Sequence, residues 1–92
     1  MFRIPLLHRR TIVSDEGFAV TFTSRNVLRY DEGDVSLLFD IDGDGKRMDL
    51  IAHSMRTFHP NGESPDEVAL RRIEANVARA LKWRGWSVQV VS

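Results

Sequence analysis

The chain has 92 residues, room for one small domain, and its 42% apolar and 28% charged content is that of a folded protein rather than a disordered one. Its 13 basic and 13 acidic residues cancel to a net charge of zero, which argues against a general polyanion binder, whose domain is usually strongly basic. With no cysteine there is no disulfide framework, no thiolate metal site and no cysteine nucleophile.

Taken in chain order, "MFRIPLLHRR" at residues 1–10 reads as an N-terminal arm or edge strand, because Phe2, Ile4 and Leu6 alternate. Its apolar run is too short for a signal peptide, and Pro5 interrupts it. No segment approaches the roughly 20 apolar residues of a membrane helix, so no membrane partner is expected and the cytoplasm is the expected compartment. Residues 11–92 read as a single α+β domain. Phe18, Val20 and Phe22 alternate with Ala19, Thr21 and Thr23, a half-buried strand; "SRN" is a turn, residues 27–30 a second strand, and "DEGD" the next turn. Val35, Leu37, Phe39 and Ile41 alternate again, as do Met48, Leu50 and Ala52 after "DGDG". Strands joined by short turns predict an antiparallel meander of about five strands.

"HPNGESP" then breaks the strand pattern. Ser64 as N-cap, Pro65 at the first helical position and Glu67 closing a capping box predict a helix over about residues 65–84. Its core stripe is Leu70, Ile73, Val77, Ala80 and Leu81, and Gly85 is the expected stop. Trp86, Val88 and Val90 alternate as a final strand that joins the sheet. The predicted architecture is an antiparallel β-meander packed on one long C-terminal helix and followed by that strand.

Charge is segmented along the chain. Residues 31–49 carry Asp31, Glu32, Asp34, Asp40, Asp42, Asp44 and Asp49 against only Lys46 and Arg47, whereas residues 1–30 and 68–92 are basic. Asp40, Asp42, Asp44 and Gly45 open like a calcium-binding EF-hand loop. The closing glutamate is missing, since Ile51 stands at its place, and the flanks are strand patterns. A hairpin turn is therefore expected there, with no metal. His8, His53 and His59 lack metal-ligand spacing, and no nucleophile motif accompanies them. No catalytic set and no cofactor motif can be named.

Two binding surfaces suggest themselves. Arg71, Arg72, Arg79 and Lys82 share the helix face away from the core stripe, with Trp83 beside them, the composition of a protein-interface hot spot or a nucleic-acid contact. The acidic hairpins, with Asp31, Glu32, Asp34, Asp40, Asp42 and Asp44, are the second surface, suited to a basic partner.

Over residues 33–91 the layout resembles small bacterial immunity proteins of polymorphic toxin systems. The features that carry the likeness are Phe58 with Pro60, Ser64, Ile73 near mid-helix, Lys82 with Arg84, Gly85, and the strand from Trp86 to Val90. The resemblance implies a non-enzymatic protein that occludes a cognate toxin and transfers no catalytic residues. A protein partner is thus the leading expectation. The alternatives are a nucleic-acid-binding module using the basic helix face, and a homodimer that pairs the final strand or the N-terminal arm across a two-fold axis.

Overall fold

Alternating apolar side chains need a sheet with one covered face, and the sequence contains one helix to cover it. The computed structural model describes residues 1–91. It contains β1 (Phe2–Arg3), β2 (Thr11–Ser14), β3 (Phe18–Phe22), β4 (Val27–Glu32), β5 (Val35–Asp44), β6 (Arg47–Thr57), α1 (Glu67–Arg84) and β7 (Ser87–Val91). The seven strands lie in one sheet in chain order, β1 to β7. All neighbours are antiparallel except β6 and β7, which run parallel, with Met48 opposite Val88 and Leu50 opposite Val90. A parallel neighbour requires a crossover, and α1 supplies it. The fold is thus α+β with a C-terminal helix and a final strand, as the sequence pattern predicts.

The arm contributes more than its pattern promised. Phe2 pairs with Ser14, and its ring lies 5.9 Å from that of Phe18 and 5.8 Å from that of Trp83. The sheet curls, so Phe22 on β3 reaches Trp86 beside β7, with ring centroids 5.2 Å apart. The inner face buries Ile12, Val20, Leu28, Tyr30, Leu37, Phe39 and Leu50. Against it α1 buries Ile73, Val77, Ala80 and Leu81, with Leu70 packed half-buried at the margin. Four of the five predicted stripe residues therefore form the helix core contact, and the fifth borders it. No helix among the described residues is long and apolar enough to cross a membrane.

The helix start differs from expectation. Ser64 and Pro65 lie outside the helix, and Asp66 is the N-cap, its carboxylate accepting from the Ala69 N–H at 2.7 Å. Ser64 and Asp66 both offer a side-chain oxygen near the helix start. The carboxylate adds attraction to the helix dipole, which favours Asp66. Gly85 closes the other end in the left-handed region, φ 117°, its N–H donating to Leu81 and Lys82 carbonyls.

β5 and β6 form the expected hairpin, but Asp42 and Gly43 remain strand and the turn falls at Gly45, φ 64°. Further along, the register jumps: Arg56 opposes Leu38, whereas Ile51 opposes Asp40. Residues 52–55 of β6 form a bulge there, held by Ser54, whose hydroxyl accepts from the Asp40 N–H and donates to the Ile51 carbonyl.

Alternating strand direction sorts the connections between two ends. The β2–β3 and β4–β5 turns and the end of β6 lie at one. The β1–β2 loop, the β3–β4 turn, the β5–β6 turn and the C-terminus of α1 lie at the other, hereafter the Gly85 end. The ten residues of β5 span ~30 Å between them.

Candidate anion-binding site

The helix face predicted as a basic surface is largely engaged with the protein itself. Arg72 donates to both carboxylate oxygens of Glu32, at 2.9 and 3.1 Å. Glu32 also accepts from the Tyr30 hydroxyl at 2.6 Å, and that hydroxyl accepts from the Asn76 amide at 3.1 Å. Arg79 donates to Asn76 Oδ1 at 2.8 Å and grips Glu16 at 2.9 and 3.2 Å. Arg71 pairs with Glu67 at 3.4 Å and with Glu74 at 3.5 Å. Glu74 is only 5% exposed. Three of the predicted cations are therefore clamps holding α1 to the sheet or to itself.

The electrostatics follow from that chain of contacts. Burial, reinforced by the hydrogen bond to Glu32, pushes the Tyr30 hydroxyl up to about 12. The Tyr30 hydroxyl, and then Arg72, hold the Glu32 carboxyl below its ordinary value. Arg79 does the same for Glu16. A tyrosine held this firmly in its protonated form is a structural donor, not a base. Lys82 is exposed and in no ion pair among the described residues. Trp83 is 44% exposed, with one side against Phe2.

The acidic hairpins do not make one surface. Asp31, Glu32 and Asp34 lie at one end of β5 and Asp42 and Asp44 at the other. Asp31 accepts from Arg29 at 3.0 Å and from Ser36 at 2.7 Å, and Asp40 pairs with Arg56 at 3.0 Å. Asp42, Asp44 and Asp49 share a shallow cavity of about 230 Å³ with Arg47. Among the described residues no three histidine, aspartate or glutamate side chains gather as a metal site. His8 and His59 lie in loops, and exposed His53 in the β6 bulge.

A cavity of about 620 Å³ opens at the Gly85 end and includes none of the residues predicted from sequence as binding surfaces. Its floor is Phe22, Ile41, Met48 and Trp86, and its rim carries Arg9, Arg10, Arg25 and Arg84. No acidic residue lines it, and none of these four arginines is in an ion pair among the described residues.

Each rim segment has a fixed backbone. The β1–β2 loop is tied by the His8 N–H donating to Pro5 and the Thr11 N–H to His8, at 3.1 and 3.0 Å. The Arg10 carbonyl accepts from Phe22 at 2.9 Å. In the β3–β4 turn the Thr23 N–H and hydroxyl both donate to the Val27 carbonyl, each at 3.1 Å. Beyond Gly85 the Trp86 N–H returns to Leu81 and the Ser87 N–H reaches Lys46 at 2.7 Å. The Arg84 guanidinium lies 6.0 Å from the Trp86 ring centroid.

Cations over an apolar, aromatic floor can hold an anion that carries an apolar part. The Thr23 and Ser24 side chains complete the lining and add hydroxyl groups to it. No protein-family model, no curated protein and no solved structure matches this chain.

Proposed function

We propose that the chain is a non-catalytic binding module working through the arginine-rimmed cavity at the Gly85 end. The observation that carries this reading is the contrast in pairing. The helix arginines Arg71, Arg72 and Arg79 are consumed by internal carboxylates, while Arg9, Arg10, Arg25 and Arg84 face one acid-free cavity. Four like charges around one opening repel each other and oppose folding, so their placement is best explained by an anionic occupant. A test is the double variant Arg25→Glu with Arg84→Glu. It should remove anion binding by the chain, whereas Lys82→Glu on the exposed helix face should leave it intact. Equal binding by both variants would rule the cavity out.

A second reading, a protein partner engaged at the same end, draws on Leu6 and Leu7. They are 89% and 90% exposed on the loop that carries Arg9 and Arg10. Paired exposed leucines beside unpaired cations suit an acidic partner surface with an apolar recess. Occlusion of a toxin, as the likeness to immunity proteins suggests, would then use this end rather than the dispersed acidic residues. Pull-down from lysate of the native cell, with and without nuclease, checks it. A single protein recovered with the native chain, unaffected by nuclease and lost with Leu6→Asp and Leu7→Asp, is the expected outcome.

A further inference from the structure

We infer that the cavity at the Gly85 end is a site for a nucleotide, its phosphates held by Arg9, Arg10, Arg25 and Arg84 and its base laid against Trp86 and Phe22. The inference rests on the cavity being the working site and names the chemistry of its occupant.

The first argument is charge. Four guanidinium groups with no ion pair among the described residues exceed what one carboxylate neutralises, whereas a polyphosphate or a phosphorylated strand end carries several negative charges within a few ångströms. Guanidinium forks also match phosphate oxygens in pairs. The second is shape. At about 620 Å³ the cavity is in the range of sites for small organic ligands and larger than a bare phosphate needs. The third is the floor. Trp86 and Phe22 meet at 57°, with Arg84 beside the indole, so flat apolar and cationic faces stand within reach of a planar heterocycle. The fourth is contrast with the remainder of the molecule. Net charge is zero and the helix cations are internally paired, so the chain lacks the extended basic surface of a duplex binder. A compact site for one phosphorylated nucleotide needs no such surface.

A free nucleotide and the 5′-phosphorylated end of a single strand share this chemistry, and the experiment separates them. The isotope-labelled full chain is titrated, by NMR, with adenosine triphosphate, with inorganic triphosphate, and with a short thymidine oligonucleotide with and without a 5′-phosphate. The Trp86 indole and the amides of Phe22, Thr23, Ser24 and Arg25 should move. Adenosine triphosphate or the phosphorylated strand should bind at least ~10-fold tighter than inorganic triphosphate, the difference being base stacking. Whichever binds more tightly identifies the source. In the variant carrying Arg25→Glu and Arg84→Glu the shifts should vanish while the remaining resonances keep their positions, which shows the fold intact.

Binding of both nucleotide probes no tighter than inorganic triphosphate would overturn the inference, as would silence towards both nucleotide probes. A glutamate-rich peptide containing phenylalanine, run alongside, separates the two levels. If the peptide moves these resonances and the nucleotides do not, the nucleotide is wrong and the cavity reading survives. If no anion moves them, both fall.

Discussion

Two groups of arginines divide this molecule. Those on the outer side of α1 reach back to the sheet: Arg72 to Glu32, 40 residues away, and Arg79 to Glu16, 63 residues away. Those at the Gly85 end come from two connections and the last residue of α1, and none is in an ion pair among the described residues. The first group is spent on holding the helix in place. The second places like charges together with no ion pair among the described residues, and that arrangement is the ground for the proposed anionic occupant. A guanidinium on a helix face is therefore a poor sign of a binding surface until its partners are counted. A guanidinium in a loop is a better one when the loop is tied down and no acid is near.

Substitutions can break the comparison, and the largest effects should fall on the clamp. Tyr30 is fully buried and central to it, so Tyr30→Ala should cost about 3–5 kcal/mol in urea unfolding. Tyr30→Phe keeps the ring and leaves the Asn76 amide and the Glu32 carboxylate without their shared partner, at a cost of about 1–3 kcal/mol. If Tyr30→Phe is neutral, the polar network is incidental and only ring packing matters.

The same residues set a pH dependence with opposite signs at the two extremes. The Glu32 carboxyl is held below its ordinary value, so its contribution is present above about pH 4.5, the usual value for glutamate, and is lost as pH falls through the lowered folded value. At the alkaline side the unfolded chain releases the Tyr30 proton near pH 10 while the folded chain keeps it to about 12. Stability should therefore decline from about pH 10 upward to about 12. Tyr30→Phe should flatten the alkaline limb and Glu32→Gln the acid limb. A variant that shifts neither limb would remove these groups from the argument. Thermal unfolding followed across pH reads both.

The sheet and helix were legible because period-two and 3.6-residue patterns are local. Phe18 to Phe22, Val35 to Ile41 and the stripe from Ile73 to Leu81 each carry their own signal within a few residues. The cap was displaced by two residues because Ser64 and Asp66 both offer an N-cap oxygen, and the charge of the carboxylate favours Asp66. The parallel placing of β7 was not legible, since alternation says nothing of direction. The cavity was hidden for a different reason. Arg9 and Arg10, Arg25, and Arg84 are far apart in sequence, and the strand order together with the direction of α1 brings them to one end. The basic helix face had the converse fault: it was legible as a cluster, but its neutralising carboxylates lay 40 and 63 residues away. A usable signal was present in the basic segments on either side of the acidic one, had each loop been assigned to an end by counting strands.

The smaller effects sharpen the contrast. Arg72→Ala removes a forked ion pair that is half exposed, for which about 0.2–1 kcal/mol of destabilisation is expected, more at low salt than at high. Replacing Arg25 and Arg84 together by glutamine should change stability by no more than about 0.5 kcal/mol, because neither guanidinium has a carboxylate partner among the described residues. Relief of repulsion among the rim charges pulls towards stabilisation, and loss of the Arg84 contact with Trp86 and with the helix C-terminus pulls the other way. Comparing urea midpoints at low and high salt gives the net sign of these charge effects, since both the rim repulsion and the attraction to the helix C-terminus are screened. A stabilised double variant at low salt that reverts to the native midpoint at high salt would mean the rim arginines strain the free protein. A double variant as unstable as Tyr30→Phe would mean they are structural after all, and the division between the two groups would fail.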